Sequence, residues 1–370
     1  MVEGDGVAFA RRLGERLGGR VHAHPRFETA VVTLPGGAKI DVATARAEYY
    51  EAPGALPTVV HGNVKMDLLR RDFTINALAM ALNPGRFGTL LDFFGGLQDL
   101  HDREIQVLHS LSFVEDPTRV FRAIRFEQRL HFTLGETTRR LIRDAVAKGL
   151  FETLGGPRIF QELALILKER NPLPALARME ELGVLRFVHP RARVTRAGLR
   201  LFGALRRKLA LLGEGDRDSR WLLYLAALCE GLGERGAAEL CERLAIPPRT
   251  AARLLALVGD GRRLQKRIEA ARPWRASAVH ALLAPWPREV AVYVWARTSS
   301  RGAAAAVREH LATGAAVATE LQGRDLLALG YPPGPLYRDI LAALLAEKLE
   351  GRVPTREEER SWVRAHYPPP

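Results

Sequence analysis

Apolar residues recur every three or four positions from Val7 to about Leu17, which predicts an amphipathic helix at the front of the chain. The spacing then changes. Val21 to His24 and Ala30 to Leu34 read as extended segments, and Pro35-Gly36-Gly37 punctuates two β-like runs, Thr29 to Leu34 and Ala38 to Ala43, which predicts a hairpin. Ala52 to Gly62, carrying Pro53, Gly54, Pro57 and Gly62, reads as a long loop, with a helix resuming near Met66-Asp67. After Asn83-Pro84-Gly85 come a short strand, Thr89 to Leu91, and the turn Asp92-Phe93-Phe94-Gly95-Gly96, which leads into another helix. From Phe113 onward helical spacing dominates, with breaks at Gly155-Gly156-Pro157, Asn171-Pro172, His189-Pro190, Gly213 to Gly215 and Pro247-Pro248. The pattern describes an α+β front end followed by an all-α body.

A chain of 370 residues exceeds one typical domain and can bury a sizeable core. Hydrophobic and charged fractions of 47% and 26% are ordinary for a globular protein, whereas a net charge of +13 and a pI near 10.3 are not. That excess points to a polyanionic partner, with an arginine-biased proteome as the competing reading. The most apolar run, Trp221 to Cys229, is far shorter than the ~20 residues that span a bilayer. Met1 to Gly6 has neither a basic nor an apolar signal region. Cys229 and Cys241 are too few and too widely spaced for a zinc site. These features predict a cytoplasmic protein with no membrane association and no disulfide.

Candidate chemistry gathers in two short segments. In Arg70-Arg71-Asp72-Phe73-Thr74-Ile75-Asn76, Asp72 and Asn76 are spaced to share a helix face, with Arg71 beside them. A carboxylate and an amide so placed can bind vicinal ribose hydroxyls, and a guanidinium can hold phosphate oxygens. The plain alternative is an ordinary first turn with solvated arginines. In Glu115-Asp116-Pro117-Thr118-Arg119, proline at the first helical position makes Asp116 a natural N-cap. Arg119 fits that account badly, because a cation in the first turn opposes the helix dipole. Val120, Phe121 and Ile124 then form an apolar side opposite Arg122, Arg125 and Arg129, which by itself describes a solvated basic face. Asp41 stands in a strand-like run, Ile40 to Arg46, where an acid is unusual and an edge position facing water is the ordinary explanation. Asp5, between two glycines, reads as the cap of the first helix.

Together these segments resemble the nucleotide motifs of the class II tRNA nucleotidyltransferase and bacterial poly(A) polymerase family. The resemblance implies that Arg71, Asp72 and Asn76 lie under the incoming nucleotide and sense its sugar. It implies that Asp116 accepts from an exocyclic amine while Arg119 donates to a ring nitrogen, a pattern that suits cytosine and adenine and disfavours uracil and guanine. Arg122 and Arg125 then line the nucleotide and primer end. Asp41 corresponds to a third catalytic carboxylate accompanying an Asp-x-Asp pair that binds two Mg²⁺. That pair, and a glycine-rich phosphate turn, would precede Val2 and are not in the chain. The expectation is a misplaced start on a longer gene product rather than a natural catalytic remnant. Ala47 to Leu56 resembles the family's mobile head loop, Asp92 to Leu100 the segment joining head to neck, with Gly95-Gly96 permitting a tight backbone approach, and Gly156 to Leu163 a segment whose Arg158 and Glu162 brace the neck. Leu321 to Leu341, with Gly330-Tyr331-Pro332-Pro333-Gly334-Pro335, resembles a tail motif of long bacterial members.

The implied fold is a partial polymerase-β-like nucleotidyltransferase head followed by an all-α neck, body and tail. Its expected boundaries are a head over 1–92, a neck with base recognition over 93–155, a helical body over 156–220, and a tRNA-binding body and tail over 221–370. The implied activity is template-independent addition of CMP and AMP, or of AMP alone, from CTP and ATP to the 3′ end of tRNA, with release of pyrophosphate. Two alternatives stand beside it: a poly(A) polymerase acting on other RNA 3′ ends, and a non-catalytic RNA-binding remnant without the Asp-x-Asp site. Arginine clusters such as Arg253 to Arg267 are candidates for tRNA phosphate contacts, with solvated surface as the default for each residue.

Overall fold

Asp5 starts the first helix, α1 (Gly6–Leu17), by accepting from the Ala8 amide at 2.8 Å. Helix α1 lies on an antiparallel sheet in the order β1 (Arg20–His24), β2 (Thr29–Thr33), β3 (Lys39–Ala43). Ala10 of the helix meets Ala30, Val32 and Val42 of the sheet in a small core. The predicted hairpin is β2 and β3, and its register sets Val31 opposite Asp41. The strand run expected from Ile40 to Arg46 divides in two. Val2 bridges to Thr44 in parallel beyond the end of β3, and the chain then enters a second ladder, β4 (Arg46–Tyr49) with β5 (Thr58–His61). Strand β5 corrects the expected loop over Ala52 to Gly62. All four of its residues are exposed, so no inside-outside alternation marks it, while Pro57 and Gly62 at its ends read as loop signals.

The computed structural model describes residues 1–52, 54–55, 57–212 and 217–368. Pro53, Leu56 and the predicted break at Gly213 to Gly215 lie outside them. Contacts divide the chain into two units, residues 1–169 with 174–190, and residues 170–173 with 191–370.

The first unit continues through α2 (Val64–Leu69), a single 3₁₀ turn (Thr74–Asn76), the hairpin β6 (Leu78–Met80) with β7 (Leu90–Asp92), and α3 (Gly96–Asp102). Then follow β8 (Glu104–Ile105), α4 (Ser112–Glu115), α5 (Thr118–Leu130), β9 (Thr133–Leu134) and α6 (Glu136–Ala147). Helices α7 (Gly156–Lys168), α8 (Leu173–Glu181) and α9 (Leu185–Val188) complete the series. Strands β8 and β9 form one short parallel pair within this helical stretch. Val120, Phe121 and Ile124 are buried on the apolar side of α5, as their spacing predicts.

The second unit is helical from Arg196–Leu212 to Arg356–His366. Two of its helices have long buried runs, Leu222 to Leu228 and Val290 to Ala296, and Cys229 and Cys241 are free thiols in the interior. The proline and glycine turn near residue 331 separates Gly323–Ala328 from Pro335–Leu349, and Tyr331 is buried there with Leu326, Ile340, Leu344 and Val363. Among the described residues no helix is long and apolar enough to cross a membrane.

Within the first unit, the start of α3 approaches the 3₁₀ turn closely. Asp92 turns the chain into α3, accepting from the Gly96 amide at 2.9 Å and the Leu97 amide at 2.9 Å. A Cβ on Gly96 would stand 2.2 Å from the carbonyl oxygen of Thr74 in the 3₁₀ turn. Gly96→Ala is therefore expected to destabilise the first unit by about 1–3 kcal/mol, because backbone must move to admit the methyl group. Urea unfolding checks this, and a variant as stable as the parent would contradict the approach.

Candidate functional site

Helix α2 stops at Arg70 because the residues beyond it pair with the segment just after β8 through an isolated antiparallel bridge. Phe73 is fully buried and bridges to Val107, and the Thr74 amide donates to the carbonyl of Gln106 at 3.0 Å. Asp72 and Asn76 consequently do not share an α-helical face, contrary to the spacing argument. A turn closes the pair instead: Asn76 Nδ2 donates to Asp72 Oδ1 at 2.9 Å, and the Phe73 amide donates to the same oxygen at 3.0 Å. The other oxygen, Oδ2, receives Arg122 of α5 through Nε at 2.8 Å and Nη2 at 2.6 Å.

Arg70 and Arg71 are held from below by Asp67, which is 2% exposed. Asp67 Oδ1 accepts from Arg70 Nη2 at 2.9 Å, and Oδ2 accepts from Arg71 Nη2 at 3.3 Å. Glu48 of β4 pairs with Arg70 at 3.0 Å and accepts from the Tyr50 hydroxyl at 3.0 Å. Burial, reinforced by the Glu48 charge, pushes the Tyr50 phenol up to about 12.

Asp116 caps α5 as its sequence suggests. Its Oδ1 accepts from the Thr118 amide at 2.9 Å, from Thr118 Oγ1 at 2.6 Å and from Arg158 Nη2 at 2.8 Å. Arg158 also donates to the carbonyl of Gly54 at 2.8 Å. Arg119, 5% exposed, spans α4 and the end of α2: Nη1 donates to Ser112 Oγ at 2.9 Å and Nη2 to the Arg70 carbonyl at 2.7 Å. These bonds, with Glu115 at 3.7 Å, explain how a cation persists in a first turn against the dipole.

A cleft of about 460 Å³ opens where these elements meet, lined by Arg71, Asp72, Asn76, Asp116, Arg119, Arg122 and Phe126. Six of the residues singled out from sequence are thus brought together. Arg125 is not in the lining; it is buried, lies 3.7 Å from Glu169 and packs over the Phe126 ring at 5.1 Å. Asp41 is exposed on β3 and does not line the cleft either. Among the described residues no three His, Cys, Asp or Glu side chains come together to hold a metal, so the residues present do not fit the Mg²⁺ site that the resemblance implies. Phe126 is the one lining residue without a charged or amide group, and its place one turn after Arg122 is the sequence signal for it. Its ring lies 5.6 Å from the Arg122 guanidinium and meets Phe73 edge-on at 5.8 Å.

Three guanidinium groups, two carboxylates, an amide and an aromatic ring suit a ligand with anionic, hydroxylated and planar parts. Two family models match the chain, a poly A polymerase head domain over residues 1–106 and a probable RNA- and SrmB-binding site of polymerase A over 131–194, both almost wholly within the first unit. The A-adding tRNA nucleotidyltransferase of Geobacter sulfurreducens is 43% identical over 97% of this chain, which spans only 42% of that protein's length. The A-adding tRNA nucleotidyltransferase of Halalkalibacterium halodurans is 30% identical over 99% of the chain and 83% of the relative. The chain belongs to the tRNA nucleotidyltransferase and poly(A) polymerase family. The Thermotoga maritima CCA-adding enzyme complexed with tRNA superposes with a TM-score of 0.74 at 33% identity, covering 98% of this chain and 85% of that one. The α+β head and helical body are therefore those of the nucleotidyltransferase family.

Beside the cleft, Glu162 of α7 shows an electrostatic imbalance. Burial raises its pKa above the ordinary 4.5, outweighing the attraction of Arg122 and Arg125, and the Asp116 and Asp72 charges add to the rise. The folded state then binds this proton more tightly than the unfolded chain, so stability falls as pH rises from 4.5 through the folded value and levels off above it. Glu162→Gln is expected to flatten that slope and to match or exceed the parent's stability near neutrality. Urea midpoints from about pH 4.5 to about pH 8 test it. A neutral-pH loss of more than about 1 kcal/mol would instead make charged Glu162 a brace.

Proposed function

We propose that the cleft binds a nucleoside triphosphate, ATP foremost, and that the protein transfers its nucleotidyl group to the 3′ end of tRNA. The observation that carries this reading is the convergence of Asp72, Asn76, Asp116, Arg119, Arg71 and Arg122 on one cleft. It is supported by the A-adding names of the Geobacter and Halalkalibacterium relatives. In the reaction the RNA 3′-hydroxyl oxygen bonds to the α-phosphorus and releases its proton to solvent, the bond from that phosphorus to the β-bridging oxygen breaks, and pyrophosphate leaves with that oxygen. The protein's residues bind and orient. Asp72 and Asn76 take the ribose hydroxyls, and Arg71 and Arg122 take phosphate oxygens.

Asp116 Oδ2 has no hydrogen-bond partner among the described residues, leaving it to accept an exocyclic amine. Arg119 commits only its Nη1 and part of its Nη2 donors to the protein, so donors remain for a ring nitrogen. ATP and CTP both match this edge. Mg²⁺ remains an expectation from the family; Asp41 alone does not make a two-metal site, and no step is routed through it. Four arginines exposed along Arg196–Leu212, Arg196, Arg200, Arg206 and Arg207, offer phosphate contacts, whereas Arg253, Arg262 and Arg263 are engaged with Glu289, Glu230 and Glu234.

Equilibrium binding of the four nucleoside triphosphates tests the cleft, and incubation with tRNA lacking its terminal A, using labelled ATP and CTP separately, tests transfer. ATP is expected to bind at least about 10-fold more tightly than GTP or UTP, with AMP added once to that tRNA. Asp116→Asn should remove most of the base discrimination while leaving tRNA affinity and its steep salt dependence in place. Equal binding of all four nucleotides by the parent would sink the reading.

A further inference from the structure

Arg122 has two carboxylates within reach and is seated on one. Its Nε and Nη2 donate to Asp72 Oδ2 at 2.8 and 2.6 Å, whereas its Nη1 stands 3.8 Å from Glu162 Oε1. Glu162 is 13% exposed, and its Oε2 is buried with no hydrogen-bond partner. A buried carboxylate oxygen without a donor has lost its water and gained nothing in return.

Asp72, meanwhile, is saturated. Oδ1 takes the Phe73 amide and Asn76 Nδ2, and Oδ2 takes both Arg122 donors, so the carboxylate has no lone pair left for a ribose hydroxyl. Reading a sugar through Asp72 requires Arg122 to leave Oδ2. A guanidinium released in this partly buried place needs another anion, and the nearest unmet oxygen is on Glu162. The groups around Glu162 are Arg122 and Arg125 of α5, with Asp72 and Asp116 from the segments before the 3₁₀ turn and before α5. Arg125 already lies 3.7 Å from Glu169 and over Phe126, which leaves Arg122 as the side chain with somewhere to move.

We propose that Glu162 is a positioning residue, the second seat of Arg122: when a nucleotide's ribose hydroxyls take Asp72 Oδ2, the displaced guanidinium moves onto Glu162 and turns its remaining donors toward the phosphates. This rests on the nucleotide-binding reading of the cleft and adds to it a side chain outside the lining. The shift needs one side chain to change seats and no movement of α5 or α7. It also accounts for Glu162 carrying an unmet oxygen in the free protein, where a static brace would have its acceptors filled.

ATP affinity of the full chain, measured by calorimetry alongside urea unfolding, provides the test. Glu162→Gln is expected to weaken ATP binding about 10-fold while keeping or raising stability, a split that loss of a structural brace would not produce. In an Arg122→Gln background the same substitution should have no further effect on affinity, because the seat then has no occupant. Unchanged ATP affinity in Glu162→Gln, or an equal loss in both backgrounds, overturns the proposal. A parent that fails to bind ATP overturns the cleft reading itself, a result distinct from a parent that binds and a Glu162 variant that binds equally well. If Glu162→Gln does not fold, the Arg122 Nε–H resonance of the ¹⁵N-labelled parent decides. It should shift on ATP addition, and a stationary resonance at saturating ATP overturns the proposal.

Discussion

The carboxylate of Asp72 is the joint on which the first unit is organised around its cleft. One oxygen closes the turn that carries Asn76, and the other binds Arg122 of α5, so a single buried acid fixes both the shape of the turn and its distance from the helix. Arg119 works in parallel one turn earlier on α5, tying it to the Arg70 carbonyl and to Ser112. Neither contact is a surface ion pair of the kind that salt and side-chain entropy reduce to little. Asp72 and Arg119 are each less than a tenth exposed, so removing their partners strands them in a poor solvent, whereas Arg122 keeps 32% of its side chain exposed. Gly96 matters for a steric reason. The close approach of α3 to Thr74 supports the turn from its other side.

The basic excess takes different forms in different places. Around the cleft, Arg70, Arg71, Arg119, Arg122 and Arg158 are partnered by Asp67, Glu48, Glu115, Asp72 and Asp116. Their positive charge is therefore largely neutralised within the fold and cannot account for long-range attraction of a polyanion. The exposed arginines of Arg196–Leu212 are better placed for that, since each added phosphate contact releases a counterion. Net charge alone could not have separated these two populations.

Much of the fold was legible in the sequence because periodicity reports burial. Helix α1, the β2–β3 hairpin, and the helical body with its breaks at Gly155-Gly156-Pro157, Asn171-Pro172, His189-Pro190 and Pro247-Pro248 follow from it. Strand β5 was hidden because no side of it is buried, and period-two alternation arises only where one face is. The helix expected across Asp72 and Asn76 failed for a different reason. Local spacing allowed it, but Phe73 and Thr74 are paired with Val107 and Gln106, a partnership more than thirty residues away that no local rule contains. Arg119 was legible as an anomaly against the helix dipole, yet its partners, Ser112 and the Arg70 carbonyl, were not. Glu162 read as a brace from its motif; the unmet oxygen that sets it apart exists only in three dimensions.

The internal ion pairs also bear on selectivity. A cleft whose arginines were free would bind any polyanion, including free pyrophosphate or an RNA backbone, with little regard for sugar or base. Here Arg122 is already engaged by Asp72, and Arg71 by Asp67. A ligand that offers phosphate alone must strip an arginine from its carboxylate and leave that carboxylate unpaired in a buried place, which opposes binding. One that brings hydroxyl donors for Asp72 together with phosphate for the arginine exchanges each bond for another and leaves nothing stranded. On the nucleotide-binding reading, mutual pairing of cleft residues in the free protein would act as a filter for whole nucleotides over their fragments, and it follows from the same saturation of Asp72 that joins the turn to α5.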